Sequence, residues 1–175
     1  PSTSCDWQDS GSSLSTLEPM TAQTTYVDID NARLDDQREE MRKIIAADHC
    51  PFCAENLQKY HHEETLREGK YWLLTKNHWP YENTSVHLLM IAKEHVTTLT
   101  ELAPEAGAEL IEMASWAIRT YSMLGGGLAM RFGDTNYSAA TISHLHAHII
   151  QPDISAPDYD QHPVRVKIGK TGKKQ

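Results

Sequence analysis

Three histidines at alternate positions, in Ser143-His144-Leu145-His146-Ala147-His148-Ile149-Ile150, are the densest chemistry in the chain. In an extended strand side chains alternate between faces, so His144, His146, His148 and Ile150 share one face and Leu145, Ala147, Ile149 and Gln151 the other. Successive imidazoles on that face stand about 6–7 Å apart. One buried histidine is readily satisfied by a ring hydrogen bond, but three in a row are hard to explain as packing. With ten histidines in 175 residues, chance supplies the pattern only about 0.03 times. Imidazole is partly neutral near pH 7, so such a row suits nucleophilic attack or metal binding.

The second pattern is His49-Cys50-Pro51-Phe52-Cys53. A redox pair normally opens a helix after a strand in a βαβ unit, whereas here a helical pattern precedes the cysteines and no parallel-sheet pattern follows. A metal knuckle needs two further ligands, and the chain is rich in histidine. Two unconnected thiols are the bland alternative. Cys5 stands alone in a Ser-rich leader and is assigned no chemistry.

The elements that must position these residues follow from periodicity. Asn31 to Ala47 reads as a helix with a partial apolar stripe of Leu34, Met41, Ile44 and Ile45, stopping near Asp48. Tyr71 to Lys76 and His87 to Lys93 read as strands, the second apolar enough to be central. The link between them, Asn77-His78-Trp79-Pro80-Tyr81-Glu82-Asn83, can stack on a base or lid the core. Pro104 opens the longest helix, predicted to Leu124 with Ala106, Leu110, Met113, Ala117, Ile118 and Tyr121 on one side. Gly125, Gly126 and Gly127 end it; a strand rather than a helix follows, so they are no phosphate cradle. Leu128 to Phe132 is that strand, and a polar connection leads into the histidine strand. The order predicts an α+β domain on an antiparallel sheet over residues 31–155, with a flexible extension at 1–30 and a tail at 156–175.

At 175 residues the chain suits one domain with a real core. Its formal charge of −8 argues against general affinity for nucleic acid, yet a few local donors can still hold a small anion. The one basic cluster, Arg165, Lys167, Lys170, Lys173 and Lys174, is expected to be a solvated tail. The most apolar run, His87 to Ala92, is too short to span a membrane, and no signal-peptide core opens the chain. Three cysteines suit a reducing compartment, so a cytoplasmic location is expected.

Residues 144–150 resemble the His-φ-His-φ-His-φ-φ pattern of the histidine triad superfamily of nucleotide hydrolases and transferases. His87-Leu88-Leu89-Met90-Ile91-Ala92-Lys93-Glu94-His95 resembles its central strand, with the Leu99 to Pro104 link to a long helix after it. Covering about residues 50–152, the resemblance implies a HIT-like fold: about five antiparallel strands, one long helix, a shorter N-terminal helix, and a homodimer. From the zinc-containing members and the related galactose-1-phosphate uridylyltransferases it implies that Cys50, Cys53, His95 and His144 hold a structural zinc, a closed set of two thiolates and two imidazoles. His49, His61 and His62 are the alternative ligands.

It further implies that His146 is the nucleophile, its second ring nitrogen fixed by a backbone carbonyl, and that His148 binds phosphate or assists the leaving group. Thr141 and Ser143 would donate to phosphate and Asn77 would contact the ribose; each has a surface-turn reading beside it. The chain departs from the family where many members carry an amide side chain and a glutamine, here Gly133 and Ala140, which leaves the leaving-group contacts open, with Arg131-Phe132-Gly133-Asp134 as one source of other polar groups. It also lacks the His-Pro-His-Gly-Gln of the sugar-nucleotide transferases. The expected activity is hydrolysis or nucleotidyl transfer on dinucleoside polyphosphates or nucleoside phosphoramidates through a nucleotidyl-histidine. The rivals are a catalytic zinc enzyme with His144 and His146 as ligands, and a nucleotide-binding regulator without turnover.

Overall fold

A computed structural model describes residues 25–170. Its elements run α1 (Asp35–Ala47), α2 (Ala54–Tyr60), β1 (Thr65–Glu68), β2 (Trp72–Lys76), β3 (Thr84–Ala92), α3 (Pro104–Thr120), β4 (Gly127–Arg131), α4 (Thr135–Ser138) and β5 (His146–Pro152). The five strands form one antiparallel sheet in the order β1-β2-β3-β5-β4. The α+β class and antiparallel sheet expected from the element order are therefore what the chain adopts.

Strand β3 lies between β2 and β5 and is buried on both faces, which is why its sequence reads as a continuous apolar run. Leu88, Met90 and Ala92 join Leu145, Ala147 and Ile149 of the histidine strand against α3, which contributes Leu110, Met113, Ala114 and Ala117. Leu89 and Ile91 face the opposite way, into a second cluster with Met41, Ile44, Cys50, Phe52 and Ile142. Opposite parities of β3 and β5 therefore serve two separate cores. The histidines share the face of the second.

Helix α3 starts at Pro104, whose missing N–H costs nothing in a first turn. It ends at Thr120, four residues short of the predicted Leu124, because Ser122 takes a left-handed φ of 48°. Glu109 pins the helix to the β1–β2 turn: its carboxylate accepts from the amides of Lys70, Tyr71 and Trp72 at 2.9–3.0 Å. The Trp72 indole donates to Ala106 O at 2.8 Å. Among the three glycines after α3, Gly126 is required by a close approach, since a Cβ there would strike the carbonyl oxygen of Ile150.

Helix α1 begins at Asp35 rather than Asn31, because Ile29–Asn31 forms its own 3-10 turn and Ala32 is extended. It stops at Asp48, which is left-handed at φ 48°. The predicted boundary at residue 30 falls inside the packed body: Val27 bridges Ile142, and Ser143 N donates to Tyr26 O at 2.8 Å. The segment after residue 155 also packs onto the domain, with Lys170 N donating to Asn136 O at 2.9 Å and Lys170 Nζ 2.7 Å from Asp28 Oδ2. A free, solvated tail does not describe Arg165, Lys167 or Lys170; Lys173, Lys174 and Cys5 lie outside the described residues. Among the described residues no helix is long and apolar enough to cross a membrane.

Candidate active site

Two strand ends and one turn meet at the start of β5. Leu145 N donates to Val96 O at 2.7 Å, and Ala92 N donates to Leu145 O at 3.1 Å, which brings His95 and His144 side by side. The Thr97-Thr98 link after His95 is held by Glu101, whose carboxylate accepts from both amides at 2.7–2.9 Å. The cysteine turn, between α1 and α2, closes over this pair from the other side.

Cys50 Sγ lies 3.3 Å from His144 Nδ1, Cys53 Sγ 3.4 Å from His95 Nδ1 and 4.0 Å from His144 Nδ1, and the two Nδ1 atoms are 3.2 Å apart. All four donor atoms fall within 4.8 Å of one another. A tetrahedral zinc, with bonds of about 2.0–2.1 Å to nitrogen and 2.3 Å to sulfur, implies edges of about 3.3 Å for N···N and 3.6 Å for S···N. The donor set fits zinc in both chemistry and spacing. His144 Nε2, 2.7 Å from Ala92 O, donates there and turns the Nδ1 lone pair toward the sulfurs. Burial, then the neighbouring Cys50 sulfur, push the Cys53 thiol up to about 12, so two thiolates at this spacing call for a cation. The alternative ligands lie elsewhere: His49 pairs with Tyr60 at 2.8 Å, His61 with Thr75 at 2.9 Å, and His62 is not in the cluster.

His146 is outside that cluster and is buried. Its Nδ1 donates to the carbonyl of His144 at 2.6 Å, which leaves the Nε2 lone pair free. Desolvation by burial, with Arg131 nearby as a weaker cause, lowers its pKa to about 4, so the ring is neutral at pH 7. The anchoring carbonyl belongs to the residue that faces the sulfurs, so the metal-type cluster and the free ring share one backbone unit.

His148 has a partner that the sequence did not single out. His87 Nε2 lies 2.9 Å from His148 Nδ1, the Tyr81 amide donates to His87 Nδ1 at 2.9 Å, and Arg131 Nη2 lies 3.2 Å from His148 Nε2. Burial first, then the cationic Arg33 and Arg131, lower His87 to about 4, and burial first also holds His148 well below 6.5. Two neutral rings hydrogen-bonded to each other keep one accepting nitrogen at their outer ends, yet a fixed donor faces each end. The Tyr81 amide is backbone and claims that acceptor. Asn77 Nδ2 also lies 2.8 Å from His87 Nε2, so donors crowd the ring pair from Tyr81, Asn77 and Arg131, and Arg131 and His148 border one space in the cleft.

His146 and His148 open into a cleft with an apolar part, including Met41, Ile44 and Phe52, and a polar part that includes Arg33, Arg131, Arg165 and Lys167. The cleft is partly open to solvent, with a cavity volume of about 110 Å³. Asn77 and Thr141 line the cleft, the Asn77 amide lying 2.8 Å from His87 Nε2 and accepting from Trp79 N at 3.0 Å. Ser143 is the exception: it is buried at 8% exposure and does not line the cleft, because its amide is committed to Tyr26 at the edge of the domain. Trp79 and Tyr81 of the β2–β3 link line the cleft, Tyr81 stacking over His148 at 6.0 Å.

Near Gly133 and Ala140, the positions where the resemblance leads one to expect amide side chains, polar groups reach the cleft from other parts of the chain. Asn31 Nδ2 donates to Ala140 O at 3.0 Å and Arg131 Nη1 to Ala139 O at 2.9 Å; both side chains line the cleft. Asn31 Oδ1 and Arg131 Nε are buried without a hydrogen-bond partner. Arg131 sits opposite His146 in the β4–β5 ladder, a register that no short-range sequence signal reveals.

An antiparallel α+β domain with a histidine row beside a Cys2His2 cluster defines a narrow class. Residues 68–154 match the HIT domain model, and the chain belongs to the histidine triad family. Among solved structures, a hypothetical protein from Leishmania major is 23% identical with a TM-score of 0.52, over 74% of this chain and 86% of that one. A Zn-bound histidine triad family protein from Mycobacterium smegmatis is 24% identical with a TM-score of 0.48, over 62% and 78%. A HIT family hydrolase from Clostridium thermocellum is 23% identical with a TM-score of 0.49, over 62% and 95%. A comparison with curated proteins yields no match.

Proposed function

We propose that the chain is a nucleotide hydrolase or nucleotidyltransferase that works through a covalent nucleotidyl-histidine on His146. The observation that carries this reading is the His146 ring itself: buried and neutral, its Nδ1–H committed to the His144 carbonyl and its other nitrogen free beside a cationic cleft. Nε2 gives its lone pair to the α-phosphorus, and the bond to the leaving group breaks with its electron pair going to the departing atom. The resulting positive ring is stabilised through Nδ1–H by the His144 carbonyl. Water then attacks phosphorus, the P–N bond breaks, its pair returns to Nε2, and the water proton is released; another acceptor in place of water makes the reaction a transfer. His148 and Arg131 donate to the phosphate oxygens. Asn77 and Thr141 are the proposed ribose and phosphate contacts.

Cys50, Cys53, His95 and His144 would hold a zinc whose contribution is structural, fixing the backbone that presents His146. The substrates are dinucleoside polyphosphates or nucleoside phosphoramidates. The open edge of β4, with exposed Leu128 beside Ile118 and Leu124, supports a homodimer across that edge. The test is a rapid quench of protein mixed with diadenosine tetraphosphate or adenosine phosphoramidate, followed by mass analysis. A nucleotidyl adduct mapping to His146 is expected. Turnover with no adduct on any histidine would rule the covalent mechanism out, and tight binding without turnover would leave a regulator.

A further inference from the structure

The segment after β5 does not trail away from the cleft. Asn83 Nδ2 donates to His162 O at 3.0 Å, and Lys170 is tied by its amide to Asn136 O and by its ammonium to Asp28. Residues 163–169 therefore cross between two anchors as a strap. Along it the side chains alternate: Val164 and Val166 line a neighbouring apolar cleft, while Arg165 and Lys167 line the cleft that holds His146 and His148.

The charge placement is the second observation. The chain carries a net charge of −8, yet the residues lining the histidine cleft include Arg33, Arg131, Arg165 and Lys167 and no Asp or Glu. Among the described residues no carboxylate forms an ion pair with any of the four; Glu82 lines an adjoining cleft with Arg165 without pairing to it. Arg33 donates to Trp79 O at 2.7 Å and lies over the Tyr81 ring, and with Arg131, Arg165 and Lys167 it gives the cleft a positive field that a bound anion would complement. A single phosphate is already provided for by His148 and Arg131. Arg33, on the N-terminal segment, and the two strap residues are in excess of what one phosphate needs.

Resting on the nucleotidyl-histidine reading, we infer that Arg165 and Lys167 of the strap, with Arg33, form a subsite for the further phosphates of the leaving group. The strap thereby selects substrates that release a polyphosphate over those that release a neutral amine. Arg165 and Lys167 are both exposed, so substituting them leaves the core intact.

The experiment compares the full chain with Arg165→Gln/Lys167→Gln on two substrates, diadenosine tetraphosphate and adenosine phosphoramidate. The expected result is a loss of about 10- to 100-fold in kcat/KM for the tetraphosphate, with the phosphoramidate changed by less than about threefold. An equal loss on both substrates, or no loss on the tetraphosphate, overturns the subsite. Should the parent protein cleave neither substrate, the enzymatic reading fails by itself. The subsite is then judged by calorimetric titration with inorganic tripolyphosphate: saturable binding abolished in the double variant upholds it, and absence of binding to the parent protein overturns it.

Discussion

At the scale of single residues, one row of equivalent imidazoles separates into rings with different surroundings. His144 turns its Nδ1 to two sulfurs, His146 keeps a free Nε2, and His148 is wedged between His87 and Arg131. On the proposed mechanism, His146→Asn is expected to lower kcat by at least about a thousandfold while keeping bound zinc, because it removes the proposed nucleophile and leaves the four donors in place; steady-state rates and metal analysis on the same preparation check both halves. If His146 were a ligand of a catalytic zinc, the metal would go with the activity. His87 carries a pH prediction. Its pKa is about 4 in the fold, lowered first by burial, against about 6.5 in the unfolded chain. The unfolded state binds the extra proton between those values, so His87 favours the folded state above pH 6.5, and that contribution drains away as pH falls toward 4. Urea midpoints measured at pH 7 and pH 5 should drop less in His87→Gln than in the parent.

At the scale of elements, the site depends on connections that are short and heavily tied. The β1–β2 turn and the start of β2 are clamped to α3 by Glu109, whose carboxylate serves three consecutive amides. Glu109→Ala should cost about 1–3 kcal/mol, since it strips those donors of their acceptor; urea unfolding with an unchanged m-value is the check. Gly126→Val should also destabilise, by about 1–3 kcal/mol, because a side chain there meets the Ile150 backbone and pushes β4 from the histidine strand. Thermal unfolding reads it. The long helix and the histidine strand were legible from the alternation of their faces, and the central strand from an unbroken apolar run, because each buries enough surface to mark its sequence. The elements β1, α2 and α4 span four to seven residues and are largely polar. They exist through tertiary contacts and left no period to read.

At the scale of the whole molecule, a metal would staple three distant stretches: the cysteine turn at 50–53, the link at His95 and the start of β5 at His144. Chelation, or Cys50→Ser, should lower the melting temperature and the zinc content together, because the link that a bound metal would make between these stretches is lost. The proposed homodimer predicts that Ile118→Glu/Leu128→Glu shifts sedimentation from a dimeric to a monomeric species, both side chains being exposed beside the open β4 edge.

The histidine parity and the apolar centre of the sheet were readable from the residues alone, and the resemblance pointed to Cys50, Cys53, His95 and His144, whose donor atoms cluster in the fold, because these depend on spacing within one segment or on a family motif. Only the tertiary structure decided what depends on register and on where the ends of the chain run. It set Arg131 opposite His146, His87 against His148 and Asn31 against the Ala140 carbonyl, and it left Ser143 outside the cleft. It also turned a basic tail into a wall of the cleft. The physical reason is the same throughout: side chains that meet across a sheet are chosen by strand pairing and chain path, which no local period encodes.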